Sequence, residues 1–404
     1  MNRRFQVAVV GSSTCVVALL LFGAVRGRSA APDAPYTHLG VYEEVLSRIQ
    51  TQYVEDPDLK VVTLGAINGM LESLDPFASY LNADQYRQYQ AAKGSSKAGV
   101  GLFLSKRAYM SVVGAVPGSP AAKAGLTTGD VLESINNIAT RDMPLAFAEI
   151  LLQGDPGSTV EMSVLRTTRQ EPQKLVLTRA QVVYTPVASR LVTDQGDPVG
   201  VVSTVSVDAA RVREISQKIA DLQKQGAKRL ILDVRNCFTG APEDGVALAN
   251  LFMDRGLIAY TQGQKSVRQD YTAAASKQVT KLPLVVLTNR ATAGPAEVAA
   301  AALLESKRAE VVGERTYGNA AVRKAVTLDD GSAIILSVAK YYGPDGKAIQ
   351  DTYVTPSVVQ FETEALPEID DSSTDIPAAA PPKTGPDLIL QKGLETIQKA
   401  AASQ

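Results

Sequence analysis

Histidine is almost missing from this chain, and cysteine nearly so. One histidine, His38, and two cysteines, Cys15 and Cys237, stand among 404 residues. A lone histidine near the N-terminus excludes a Ser–His–Asp triad and a His-rich metal site in the body of the chain. Cys15 lies inside an apolar run, so an intramolecular disulfide with Cys237 is not expected. Charge of one sign is missing too: 41 Lys and Arg face 42 Asp and Glu, a net charge of −1. That balance carries no electrostatic footprint for nucleic acid. What remains is the composition of an ordinary globular protein, long enough for two to three domains.

The long apolar run is at the N-terminus. Phe5 to Val25 carries no charge and is about the length that spans a bilayer. Arg3 and Arg4 precede it; Arg26 and Arg28 close it. Residues 1–30 read as an uncleaved signal anchor or as a signal peptide cut near Ser29 to Ala31. Arginines on both sides leave the orientation open. Residues 36–97 follow with a helical pattern, in which Tyr42, Val45, Ile49 and Tyr53 recur at three- and four-residue spacing.

Residues 98–178 resemble a PDZ domain. The signals are Gly99-Val100-Gly101-Leu102-Phe103-Leu104 and, downstream, Pro117-Gly118-Ser119-Pro120-Ala121. A Gly-rich loop at the head of a strand offers N–H groups to a terminal carboxylate, and the strand edge pairs with the peptide main chain. A helix from Pro144 to Leu152 is predicted to flank that groove. Its Ala148, Leu151 and Leu152 are either wall residues of the groove or core.

Residues 179–360 alternate strands and helices, which predicts an α/β core. The decisive stretch is Leu284 to Leu304. Leu284 to Thr288 reads as a buried strand, Asn289 to Gly294 as a tight turn, Pro295 as a first helical residue, and Ala296 to Leu304 as helix. Enzymes place nucleophiles at such elbows, where a helix N-terminus faces a developing oxyanion. Here Gly294 has no side chain to attack with, and Pro295 has no N–H to donate. Residues 361–386 are acidic and rich in Pro, Ala, Ser and Thr, which predicts a flexible linker. Residues 387–404 then carry an amphipathic helix.

The elbow, Val311 to Val326 and Asp329 to Gln350 together resemble the C-terminal processing peptidases, serine peptidases with a PDZ domain and a Ser–Lys dyad. The resemblance implies a crotonase-like spiral core with an inserted PDZ domain and an N-terminal helical region. In that family a Ser-Ala-Ser-Ala-Ser-Glu run carries the nucleophile at its middle Ser, which falls on Gly294. The base Lys falls on Asn319, and the Gln that orients it falls on Arg323. The glycine pair that supplies an oxyanion N–H falls on Thr239 and Gly240, and the second donor on Pro295. An amide cannot take a proton as a deprotonated amine can. A β-branched residue at Thr239 is strained if that position needs positive φ.

Three neighbours are candidate substitutes. Lys324 is adjacent in sequence, but successive strand residues point to opposite faces. Thr292 reads as a turn hydroxyl, and Cys237 as a small apolar filler. The resulting expectation is an exported homologue without an intact catalytic set, needing no cofactor or metal. It would bind protein C-termini or unfolded chains through its PDZ groove, from the periplasmic side of an inner membrane that holds its N-terminal segment. An active homologue is a further expected partner. An active serine endopeptidase with a rewired site is the other reading left open.

Overall fold

The structure, a computed structural model, describes residues 37–92, 98–107, 109–166, 171–193, 196–362 and 385–402. The expected signal segment 1–30 and most of the expected linker 361–386 lie outside the described residues. Two compact units divide the chain, Met1–Ala66 and Ile67–Gln404. The first contains α1 (Thr37–Gln52) and the start of α2 (Leu59–Glu72), and no residue from 39 to 66 is buried. Among the described residues, no helix is long and apolar enough to cross a membrane.

In the second unit, α2 ends in a turn at Asp75, whose carboxylate accepts from the Phe77 and Ala78 N–H groups at 2.8 Å. Next come a short strand, β1 (Ser79–Leu81), and α3 (Ala83–Ala92). The segment read as helical therefore contains a strand. Leu81 is fully buried, and β1 pairs antiparallel with Ala333 to Ile335. A partner so distant in sequence overrides the local pattern.

The next elements are β2 (Leu102–Lys106), β3 (Met110–Ala115), α4 (Pro120–Lys123), β4 (Val131–Ile135), β5 (Ile138–Ala139), α5 (Leu145–Leu152), β6 (Thr159–Leu165) and β7 (Gln173–Thr178). They form an antiparallel sheet in the order β2-β3-β4-β6-β7, with β5 on β4. Leu104, Met110, Leu132, Ile135 and Met162 fill its core beneath α5. The Arg179 guanidinium satisfies the end of that helix, donating to the Leu151 carbonyl at 2.7 Å.

The third set is β8 (Ala188–Val192), β9 (Val199–Ser203), α6 (Ala209–Lys224), β10 (Arg229–Asp233), α7 (Pro242–Asn250), β11 (Leu257–Gln262), β12 (Gln269–Thr272), β13 (Leu284–Thr288), α8 (Pro295–Glu305), β14 (Glu310–Gly313), β15 (Ala321–Thr327), β16 (Ala333–Tyr342), α9 (Ile349–Thr352), β17 (Val358–Val359) and α10 (Leu388–Ala402). A six-stranded sheet runs β17-β14-β13-β10-β9-β8, parallel except for β8. Its strands are continuous apolar runs because both faces are covered. Ile215, Ile219, Leu248, Val298 and Leu303 of α6, α7 and α8 pack on one face. Ile389, Leu390 and Ile397 of α10 pack on the other, against Val201, Ile231 and Leu287. Arg235 ties the start of α10 down through both oxygens of Asp387, at 2.7 and 2.8 Å. A second, antiparallel sheet runs β1-β16-β11-β12, with β15 along β16.

Ile389 is fully buried in this seam. We therefore expect Ile389→Ala to lower the unfolding free energy by about 2–5 kcal/mol, read as a shift of the urea midpoint. A midpoint unchanged from wild type would show that α10 does not cover the sheet.

Candidate functional site

The site begins where β13 meets α8. Gly294 is the residue before α8 and has φ 62° and ψ −119°, a conformation that strains any residue with a Cβ. Pro295 opens the helix with its φ already set and no N–H to leave unpaired. A Cβ on Gly294 would meet nothing closer than the Asn319 carbonyl oxygen at 3.8 Å and the Gly240 carbonyl oxygen at 3.9 Å. The elbow therefore has both the bend and the room for a side chain, and carries none.

One buried carboxylate holds the elbow in place. Glu297 is fully buried. Its Oε2 accepts from the Gly294 N–H at 3.0 Å and the Asn319 N–H at 2.7 Å. Its Oε1 accepts from the Gly318 N–H at 2.6 Å and the Thr316 hydroxyl at 2.5 Å. Burial pushes its carboxyl from 4.5 up to about 7, against the pull of those four donors. Sequence reading missed this role. The available signal was an acid three residues after the helix cap, the spacing of a capping box.

The turn after β10 forms the opposite wall. Gly240 takes φ 125°, and a Cβ there would lie 1.8 Å from the Val207 carbonyl oxygen. Thr239 is not among the residues with positive φ, so the strain anticipated there does not arise. Its carbonyl instead accepts from the Val207 N–H at 2.9 Å. Cys237 is fully buried, and burial raises its thiol pKa far above the range in which a thiolate forms. Its carbonyl accepts from the Ala293 N–H, linking this turn to the elbow. Thr292 is fully buried, and its hydroxyl donates to the Val234 carbonyl at 3.0 Å while accepting from the Asn289 N–H.

Asn319 lies just before β15. Its side-chain oxygen accepts from Arg323 Nη2 at 2.7 Å. The Arg323 guanidinium lies 3.8 Å over the Phe77 ring. Lys324 is exposed, whereas Val322 and Arg323 are half-buried. Among the described residues, no group of three or more His, Cys, Asp or Glu is placed to hold a metal ion.

The residues expected to line a peptide groove divide. Val100, Leu104 and the α5 residues Ala148 and Leu152 are buried together in one core. Leu102 and Leu151 are half-buried beside it. Phe103 turns towards the elbow, stacking on Phe238 at 5.1 Å and meeting Tyr317 edge-on at 5.3 Å. In the loop before β2, Gly99 and Ala180 exchange N–H to carbonyl bonds. Gly101 has φ 75°, and a Cβ there would lie 2.4 Å from that of Ser119.

Comparison with known proteins fits this geometry. Residues 198–360 match the model of peptidase family S41, and residues 111–166 that of a PDZ domain. A carboxyl-terminal-processing protease of a Picosynechococcus species is 33% identical over 298 residues, covering 73% of this chain and 72% of the relative. The chain belongs to the carboxyl-terminal-processing protease family. A second family member, from Bacillus subtilis, is 31% identical over 373 residues, covering 89% of this chain and 78% of the relative. The solved structure of a photosystem II D1 C-terminal processing protease has a TM-score of 0.64 and 30% identity, covering 85% of this chain and 92% of that one. The fold is thus that of this family: a mixed α/β S41 core with a PDZ domain.

Folding raises the Glu297 pKa, so the folded chain holds that proton more tightly. Its contribution to stability is full below about 4.5 and is lost as pH rises through about 7. We expect Glu297→Gln to flatten this part of the pH profile. At pH 8 it should also cost about 1–3 kcal/mol, because an amide nitrogen would face N–H donors. Urea unfolding at pH 5 to 8 measures both; an unchanged profile would remove Glu297 from its structural role.

Proposed function

We propose that this chain is a non-cleaving member of its family, exported, that grips protein chain ends through its PDZ groove. The observation that carries the reading is the content of the elbow. Gly294, at the nucleophile position, has no attacking atom, and Asn319, at the base position, spends its backbone N–H on Glu297 and its side-chain oxygen on Arg323. None of the substitutes is poised. Thr292 is bonded within its turn, Cys237 is held as a buried thiol, and Lys324 points to solvent. Losing nucleophile and base together removes the activated-nucleophile mechanism. The oxyanion cradle is reduced as well, since Pro295 has no N–H and only the Gly240 side is left.

The binding half of the proposal rests on the loop before β2. Val100 and Gly101 donate their N–H groups to no acceptor among the described residues, whereas their carbonyls accept from Ala121 and Val116. Two unpaired N–H groups beside a strand suit a terminal carboxylate. The uncharged run Phe5 to Val25 supports export, as anchor or as signal peptide. In this reading residues 98–178 are the PDZ module, 179–360 the silent core and 387–404 a covering helix.

Restoring only the attacking hydroxyl should not restore chemistry. Gly294→Ser has room for its Cβ and should fold with a penalty of about 1–3 kcal/mol for its strained backbone. We expect neither wild type nor this variant to cleave an unfolded substrate with a free C-terminal tag, or to be labelled by a fluorophosphonate. Measurable turnover in either would refute the reading.

A further inference from the structure

An edge strand invites a further strand, and β2 is one: it pairs on one side alone, with β3. Its outer end is nevertheless shut. Ser105 and Lys106 are both buried, and residues from outside the range 98–178 help to cover them. Lys106 Nζ donates to the Arg141 and Met143 carbonyls at 2.8 and 2.9 Å and pairs with Glu72 at 3.0 Å. The Asn68 amide donates to the Asp142 carbonyl at 3.2 Å, and the Ala146 N–H at the start of α5 donates to the Ser79 hydroxyl at 3.4 Å. Between these clamps stands Phe77. Among the described residues, it is the one buried side chain from outside 98–178 in the core that holds Leu104 of β2 with Ala148 and Leu152 of α5. Its ring meets Tyr317 edge-on, Tyr317 meets Phe103 of β2 in the same way, and the Arg323 guanidinium lies over the Phe77 ring.

We propose that Phe77, with the turn Asp75–Ala78 that carries it, is an internal stopper in the PDZ groove, which a protein chain end must lift out before it can lie along β2. The inference rests on the PDZ half of the function proposed above and adds its regulation. Two features let the stopper leave. From Ile67 to Phe77 only Asn68, Leu71 and Phe77 are buried, so opening gives up little apolar contact. The closed arrangement also carries a cost, because Arg323 Nε is sealed from solvent with no hydrogen-bond partner while the ring covers its guanidinium. Opening gives that N–H access to water. A chain end gains what the stopper lacks: a main chain that can pair with β2, and a carboxylate for the Val100 and Gly101 N–H groups. The stopper moves as one piece, since the Asp75 carboxylate holds the N–H groups of both Phe77 and Ala78 at 2.8 Å. The groove thereby acquires a threshold: its apparent affinity is the affinity of the open form scaled by the open fraction.

The test is a calorimetric titration of the full chain with an N-acetylated six-residue peptide ending in three alanines, as the free acid and as the C-terminal amide. We expect the wild type to bind the acid in preference to the amide. Phe77→Ala should tighten binding of the acid by about ten-fold, as the open fraction rises. Glu72→Gln removes one clamp through a partly exposed side chain and should tighten it several-fold, which checks the same point should Phe77→Ala not fold. Unchanged affinity in both variants, with the acid still preferred, overturns the stopper and leaves the groove reading standing. An acid bound no better than the amide by all three chains overturns the groove reading and the stopper with it. Amide hydrogen exchange in the wild type needs no variant. Saturation with the peptide acid should speed exchange at Phe77 and Ala78, and unchanged or slower exchange there overturns the proposal.

Discussion

A carboxylate taken wholly out of water is tolerable only when it is surrounded by donors, and Glu297 is surrounded by four. The rest of the site follows from that constraint. Three of the donors are backbone N–H groups, from Gly294, Gly318 and Asn319. The carboxylate therefore fixes the path of the main chain on both sides of the elbow, whatever side chains stand there. This explains how the bend at Gly294 survives with nothing to present. Scaffold and chemistry are separable at such an elbow, because main-chain groups build the one and side chains supply the other.

The strand, turn and helix from Leu284 to Glu305 were legible because each has a local cause: an apolar run, small turn residues, a proline at the first helical position and an alanine-rich continuation. The PDZ strands and α10 were legible for similar reasons. β1 was not, since its three residues make sense only against β16, some 250 positions later. The strain expected at Thr239 is conditional on a positive φ, and the condition is not met. Of two adjacent positions only Gly240 takes the left-handed conformation, and composition alone does not say which. Arg323 was read as a lost orienting residue. Its unmatched donors appear only when β15 and β16 are laid side by side.

Aromatic rings join the PDZ domain to the core. Phe103 from β2 stacks on Phe238 of the turn after β10 and meets Tyr317, which in turn meets Phe77 edge-on at 6.1 Å. Tyr317 is held from behind, its N–H donating to the Thr292 carbonyl inside the elbow. β2 and the elbow thus share one packed cluster, with Val113, Val116, Ala291 and Ala293 beneath the rings. Rings in such contact resist small displacements, because interiors are packed as densely as crystals.

The placement of α10 has a bearing on how the chain acquires its shape. The parallel strands are complete once β17 is in place, yet one side of their sheet stays bare until α10, beyond residue 385, docks on it. Through that interval Val201, Ile231 and Leu287 face water, and the nascent chain has an adhesive flank.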